Sequence, residues 1–129
     1  MRKIKAGILT FSDGRKYIHE DLLETNWRYQ NRLAAALEAT GAVEVVPGEA
    51  IIPDSRVAQQ EGRRMAEAGV DFTVFNYAIW CYPHLSAVAA TFAPGPYLLF
   101  SNLHPSEPGM VGMLAAAGTL DQVGKTHTR

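Results

Sequence analysis

The sequence predicts an α/β fold in which helices cover both faces of a parallel β-sheet. Two patterns predict it: short apolar runs alternate with longer amphipathic segments, and the connections between them are short. The chain has 129 residues, of which 47% are hydrophobic and 19% are charged. These values are typical of one globular domain, so we expect residues 1–129 to form a single α/β domain.

The first βα unit is the clearest. Residues 4–10 are an apolar run that predicts a strand, and Ser12-Asp13-Gly14-Arg15 turns the chain after it. A long helix is predicted over residues 16–39, because apolar side chains recur mostly four residues apart, at Ile18, Leu22, Tyr29, Leu33 and Leu37. Gly41 is positioned to end this helix.

The second unit begins with a strand at residues 43–46, closed by Pro47-Gly48. Asp54 or Ser55 can cap a helix that runs to about Ala68, where Gly69 breaks it. The next strand, residues 72–77, is β-branched and aromatic with few polar interruptions. That composition is expected of a central strand covered on both faces.

The remaining elements repeat the same pattern. A helix starts near Pro83 and ends before Pro94-Gly95-Pro96, and a strand follows at residues 97–100. The loop 101–109 leads into an almost uncharged helix at residues 110–117. Right-handed crossovers then give a three-layer α/β/α sandwich, flavodoxin-like or Rossmann-like, with a parallel sheet of about four strands in the order 2-1-3-4.

The C-terminal region complicates this interpretation. The last helix is apolar on nearly all sides, and residues 124–129 show no strand pattern where a fifth strand would be expected. We therefore expect a piece of something larger, or a subunit that completes itself against a neighbour. The alternative is a complete four-stranded domain with a frayed tail.

Charge and cysteine content exclude several classes of function. Twelve basic and thirteen acidic residues give a net charge of −1, which offers no broad field for nucleic acid or an anionic membrane. Cys81 is alone, so no internal disulfide forms and a reducing compartment is indicated. No stretch approaches the roughly 20 apolar residues of a membrane span. We expect a cytoplasmic protein.

Candidate site residues follow three strands of the predicted sheet. Loops after parallel strands share one edge, where ligands bind, and these loops carry Asp13, Arg15, Trp80, Asn102 and His104. Hydrogen-bonding groups beside an indole suit a neutral polyol, so a sugar is the predicted ligand.

Each candidate also has a structural interpretation. Asp13 can cap the following helix, Arg15 can be a solvated charge, Trp80 can pack under a loop, and His104 can be an ordinary loop residue. No nucleophile, paired-cysteine or zinc-ligand motif is present, so the residues predict no catalytic group and no metal site.

Several motifs resemble a known family. Asp13-Gly14-Arg15, the segment from Asn76 to Tyr82, residues 94–102 and above all Pro108 to Gly118 resemble the N-terminal region of the L-fucose isomerase and L-arabinose isomerase-like family. The resemblance covers essentially the whole chain.

The resemblance implies the first of three domains of a sugar isomerase. Such enzymes interconvert aldoses and ketoses through a cis-enediol with a divalent ion, usually Mn²⁺, whose ligands and acid/base carboxylates lie in the other domains. This chain alone would then be catalytically silent. The family's first domain closes over the active site of a neighbouring subunit, which implies that Arg15 and Trp80 approach the sugar.

Two other classes of function are open. One is a free-standing module that binds a sugar or regulates through it. The other is an assembly domain whose apolar last helix docks a partner.

Overall fold

The computed structural model describes residues 2–106 and 109–129 and shows an α/β fold. Its elements in chain order are β1 (Ile4–Thr10), α1 (Lys16–Asp21), α2 (Leu23–Ala39), β2 (Val43–Pro47), α3 (Ser55–Ala68), β3 (Phe72–Tyr77), α4 (His84–Phe92), β4 (Tyr97–Ser101), α5 (Gly109–Gln122) and β5 (His127–Thr128). Pro108, the first residue of the most specific family motif, lies outside the described residues.

The described strands form one parallel sheet in the order β2-β1-β3-β4-β5. The predicted order 2-1-3-4 is therefore confirmed, with one strand added at its edge. The expectation that residues 124–129 form no strand is wrong, because His127 pairs with Tyr97 and Thr128 with Leu98. A two-residue edge strand is too short to show apolar alternation, so backbone pairing with β4 defines it rather than side-chain burial.

The long helix predicted over residues 16–39 is interrupted at Leu22. This residue has φ −102° and ψ 10°, which separates α1 from α2. Both helices nevertheless stay connected, since the Leu22 amide donates to the Ile18 carbonyl at 3.0 Å and the Asn26 amide donates to the Leu22 carbonyl at 3.0 Å. The apolar periodicity continues through the break, which is why the sequence gives no sign of it.

The predicted helix ends at α3 are present. The Asp54 carboxylate caps α3 by accepting a hydrogen bond from the Val57 amide at 2.9 Å. Gly69 ends the helix in the left-handed conformation, with φ +69°. A residue with a Cβ is strained there, and glycine is not.

Two apolar cores lie on opposite faces of the sheet. The larger packs α3, α4 and α5 against β1, β3 and β4, with Phe11, Phe75 and Tyr77 completely buried at its centre. The smaller lies under α2, where Leu33 and Leu37 pack against Ile8, Val45 and Val74. The α/β/α layering is thus present, but three helices cover one face of the sheet and α2 covers only part of the other.

A buried polar network ties α2 to the sheet. The Thr10 hydroxyl donates to the Gln30 side-chain oxygen at 2.7 Å and accepts from the Asn76 amide at 3.0 Å. The Gln30 amide donates to the Gly48 carbonyl at 3.0 Å. The network therefore joins β1, β3, α2 and the turn after β2 just below the edge at which the strands end. Within the described ranges, no helix is both long and apolar enough to cross a membrane.

Candidate functional site

Loops after β1, β3 and β4 meet at the carboxyl edge of the sheet, as the strand order predicts. The Phe11 amide, directly after β1, donates to the carbonyl of Asn76 near the end of β3 at 3.1 Å, which joins the starts of the first two loops. The Asn102 side-chain amide donates to the Ala78 carbonyl, which joins the second loop to the third. These two hydrogen bonds hold the three loops together, and we call this region the rim.

Asp13 and Arg15 form a compact unit in the first loop. One Asp13 carboxylate oxygen accepts from the Arg15 backbone amide at 2.9 Å and from Nε at 3.0 Å, and the other accepts from Nη2 at 2.6 Å. The Asp13 side chain is 3% exposed and that of Arg15 is 50% exposed. A buried carboxylate thus fixes the direction of a half-exposed guanidinium.

The interpretation of Asp13 as the cap of the following helix is wrong. Arg15, not Asp13, occupies the N-cap position of α1, and no side chain caps that helix. Hydrogen bonds from the Arg15 guanidinium hold the pKa of Asp13 below its usual range, although burial acts in the opposite direction. The same pair raises the pKa of Arg15. Asp13 is therefore an ionised carboxylate, and both of its oxygens accept hydrogen bonds from Arg15.

Trp80 lies beside Arg15. The Arg15 Cζ atom is 5.9 Å from the centre of the Trp80 ring, at the outer limit of a cation–π contact. Trp80 also meets the Tyr82 ring edge to face, with ring centres 4.8 Å apart at 72°. Gly14 lets the first loop approach Tyr82, because a Cβ at Gly14 would lie 2.8 Å from the ring.

A small pocket of about 180 Å³ lies between these side chains. It is lined by Asp13, Arg15, Ile18, Leu22, Ile79, Trp80 and Ser106. Three of the five predicted site residues therefore share one pocket. The apolar lining from Ile18, Leu22 and Ile79 was not predicted, because these residues look like ordinary core positions in the sequence.

Asn102 and His104 do not line this pocket. Asn102 connects loops instead: besides its bond to Ala78, its side-chain oxygen accepts from the His104 amide at 2.7 Å. His104 is exposed, and its Nδ1 atom lies 2.7 Å from the Ser106 hydroxyl. The structure gives both residues a role in shaping the third loop, and sugar binding by all five residues stays a prediction.

A second polar cluster, missed by the sequence reasoning, lies next to the first loop. The Ser12 hydroxyl is 2.8 Å from His19 Nδ1 and accepts from the Asn26 amide at 3.2 Å. Asn26 is completely buried on α2. Positions 19, 22, 26 and 30 follow one helical face across the break at Leu22, so their spacing was the signal that could have identified the cluster.

Among the described residues of the rim, neither Cys81 nor the Asp13 carboxylate offers a metal site or a nucleophile. Burial, and to a smaller extent the negative Asp13, raises the pKa of the Cys81 thiol to about 12, so it stays protonated. Across residues 2–106 and 109–129, no group of three or more His, Cys, Asp or Glu side chains could hold a metal ion. The residues present do not fit the divalent ion that the resemblance implies.

Comparison with models of known protein families gives a match over nearly the whole chain. The family model described as "L-fucose isomerase, first N-terminal domain" matches residues 3–129. No curated protein matches the chain. The family match spans all three loops of the rim.

Proposed function

The chain belongs to the L-fucose isomerase family as a first N-terminal domain, and from this premise we propose that it is the substrate-covering part of a longer aldose–ketose sugar isomerase. One observation carries the proposal: Arg15, directed by the buried Asp13, lines a single small pocket together with Trp80. This domain would supply binding and shielding, and the reacting groups would lie in the remaining domains.

Arg15 is suited to hold sugar hydroxyls. Its Nε and Nη2 atoms are used by Asp13, while Nη1 makes no hydrogen bond to any described residue. Guanidinium donors bind hydroxyl oxygens well when the group is held in place, because less conformational entropy is lost on binding. Trp80 presents an apolar ring that can cover the C–H face of a sugar.

The pocket has the character of half a site. At about 180 Å³ it is smaller than the roughly 300 Å³ at which pockets for small molecules usually begin. Among the described residues that line it, Asp13 carries the only carboxylate and pairs with Arg15, so no described side chain there is available as a general base. We therefore assign the divalent ion, Mn²⁺ or another, and the acid/base carboxylates to parts of the enzyme outside this chain, and we expect the chain alone to be inactive.

What this domain adds to the reaction is exclusion of water and correct positioning. Closing over the sugar would replace bulk water by Trp80 and the apolar lining, and it would fix hydroxyls that do not react. In the complete protein the covered site would belong to a neighbouring subunit. The lone reduced cysteine supports a cytoplasmic location for the assembly.

Contacts between subunits are proposed at α5. Met110, Val111 and Leu114 are 42%, 57% and 47% exposed on this helix. Three exposed large apolar residues within five positions of one helix are characteristic of a surface that another protein covers. We expect Leu114→Asp in the complete protein to shift the oligomer toward smaller species in analytical ultracentrifugation, with Thr91→Asp on α4 as the control.

The proposal is tested by steady-state kinetics of the complete enzyme, with L-fucose, the sugar in the family's name, as the first substrate. Arg15→Ala and Trp80→Ala should each lower kcat/KM by about tenfold to a hundredfold, the loss expected for one charged hydrogen bond or one buried aromatic contact. The midpoint of thermal unfolding should change little in Trp80→Ala. In Arg15→Ala it should fall, because the buried Asp13 carboxylate loses its partner, so the kinetics are measured well below that midpoint.

Matched controls are available at residues that do not line the pocket. Arg56→Ala on α3 and Trp27→Ala on α2 remove the same residue types outside the pocket and should leave the kinetics unchanged. Unaltered kcat/KM for both rim variants would contradict the proposal. Metal-dependent isomerisation by residues 1–129 alone would contradict it as well.

A further inference from the structure

The face of the sheet on which α2 packs carries an open apolar groove. The side chains of α2 pack on β1 and β2, and beyond them a groove of about 500 Å³ runs between α2 and the neighbouring strands β3 and β4. Its lining is mostly apolar: Leu33, Ala36 and Leu37 come from α2, and Val74, Leu98 and Phe100 come from the strands. Phe100 is 45% exposed there.

Such exposure is unusual for this kind of sheet. Parallel sheets occur almost only where both faces are covered, because their strands are apolar on both sides. On the opposite face the same two strands are well covered: Phe75 and Leu99 are 0% and 2% exposed. Leu98 and Phe100 therefore form an apolar surface that the described residues leave partly uncovered.

The strand order indicates what completes this core. The connection from β1 to β2 places α2 on one face, and the later connections place α3, α4 and α5 on the other. The α3–α5 face already carries three helices packed side by side. β5 runs parallel to β4 at the sheet edge, and Thr128 pairs with Leu98, so the chain at Arg129 heads toward the rim from beside the start of β4. A helix that begins once the chain has reached the rim, and that runs back along the strands, finds its open place beside α2.

We propose that this groove is the seat of an amphipathic helix carried by the polypeptide that follows Arg129 in the parent protein. This inference rests on the proposed function, which makes the chain the first domain of a longer enzyme. The strands that line the groove have five and six residues, which corresponds to a length of about 17–20 Å and to about 11–13 helical residues. The helix has an apolar face for Leu98 and Phe100. Arg32 at the margin favours an acidic residue on its flank.

The test is performed on the complete protein with a single cysteine introduced at the groove. In Phe100→Cys, modification by a maleimide should be at least about tenfold slower than in Thr91→Cys, an exposed position on α4, because a covering helix protects the thiol. Cys81 contributes no background, since it is buried and its thiol is protonated. Equal rates at the two positions would overturn the proposal.

A photo-crosslinking amino acid at position 100 identifies the occupant. The expected result is a cross-link within the same chain to a segment in about the first 30 residues after Arg129, which allows a short connection and one helix. A cross-link to a second copy, or to a more distant domain, overturns the proposal. The outcome is independent of sugar kinetics: a cross-link in the expected segment with unchanged Arg15→Ala and Trp80→Ala enzymes would leave the groove proposal standing and remove the sugar-covering one.

Discussion

The Asp13 carboxylate grips Arg15 through three hydrogen bonds of 2.6–3.0 Å, one from the backbone amide and two from the guanidinium. Asp13 is 3% exposed, while Arg15 is half exposed. A buried carboxylate that bonds to one exposed guanidinium holds that guanidinium in position. Among the described residues of the pocket, Arg15 is therefore the one cation held in position, and the ionisation of Asp13 can be followed by its effect on stability.

Acid should weaken the fold through Asp13. Its folded-state pKa is lowered, chiefly by the Arg15 guanidinium, so near and below the unfolded value of about 3.9 the unfolded chain binds more protons. The stabilisation is present above that value and is lost as the pH falls through the folded pKa. We expect Asp13→Asn to unfold more easily at pH 7 in urea titrations, and to lose less stability between about pH 5 and pH 3 than the parent sequence.

Asp71 supplies the comparison for this experiment. Its pKa is also lowered, mainly by a hydrogen bond from Arg2, at the opposite end of the strands. The effects of Asp13→Asn and Asp71→Asn on the acid limb should therefore add within about 0.5 kcal/mol. An Asp13→Asn protein whose acid limb coincides with that of the parent would show that the carboxylate is not ionically coupled to Arg15.

The strands and most helix ends could be predicted because each leaves a local signal. Phe72–Tyr77 is β-branched and aromatic with few polar interruptions, Asp54 precedes an amphipathic run, and Gly69 marks a left-handed turn. β5 could not be predicted, because His127 and Thr128 are placed by pairing with a strand about thirty residues earlier in the chain. Periodicity also failed on α2, where two positions of the inner face are the amides Asn26 and Gln30.

The site was predictable only as a set of loops. The strand order brings Asp13, Arg15 and Trp80 to one edge, and the structure places them around one pocket. Which side chain supports and which is exposed depends on burial, and an Asp-Gly turn carries no sign that its carboxylate is enclosed. For the same reason, the sequence carries no sign that the Asn102 side chain joins two loops, and its predicted contact with a sugar stays a prediction.

Two glycines of α5 should respond in opposite ways to alanine. At Gly118 an added Cβ meets no atom within 4 Å, so the helix gains about 0.5–1 kcal/mol of stability. At Gly112 it would lie 3.1 Å from the Cys81 backbone nitrogen and 3.4 Å from the Trp80 Cα atom. These are backbone atoms of a packed loop, so the crowding exceeds the helical gain and Gly112→Ala should destabilise by about 1 kcal/mol.

Denaturant titrations measure both changes, and fluorescence distinguishes their causes. In a Trp27→Phe background Trp80 is the remaining indole, and its emission should shift in Gly112→Ala but not in Gly118→Ala. If both variants gain the same stability and keep the same emission, the close approach of α5 to the Trp80 loop is not a constraint on the site.

Cys81 should be chemically silent in the native protein. The thiolate is the reactive form, and with a pKa raised to about 12 almost none is present at pH 8. We expect alkylation by iodoacetamide to be at least about a hundredfold slower than in urea-unfolded protein, because burial and protonation act together. Thr91→Cys should react at the unfolded rate in both states. Fast native alkylation of Cys81 would show that the loop after β3 opens.

Replacing Gln30 by leucine should lower the free energy of unfolding more than most substitutions on the face of the sheet covered by α2. Leucine has a similar size but leaves the Gly48 carbonyl without its donor and the Thr10 hydroxyl without its acceptor, at about 1–3 kcal/mol for each buried group. Thr10 keeps its bond from Asn76, so Gln30→Leu should lower the free energy of unfolding by about 2–4 kcal/mol. Gln60→Leu, at an exposed position on α3, should change the free energy of unfolding by no more than about 0.5 kcal/mol.

Thr10→Val combined with Gln30→Leu should cost less than the two single losses added together, because the shared hydrogen bond is removed only once. A Gln30→Leu protein as stable as the parent would mean that the network contributes nothing to holding α2 on the sheet.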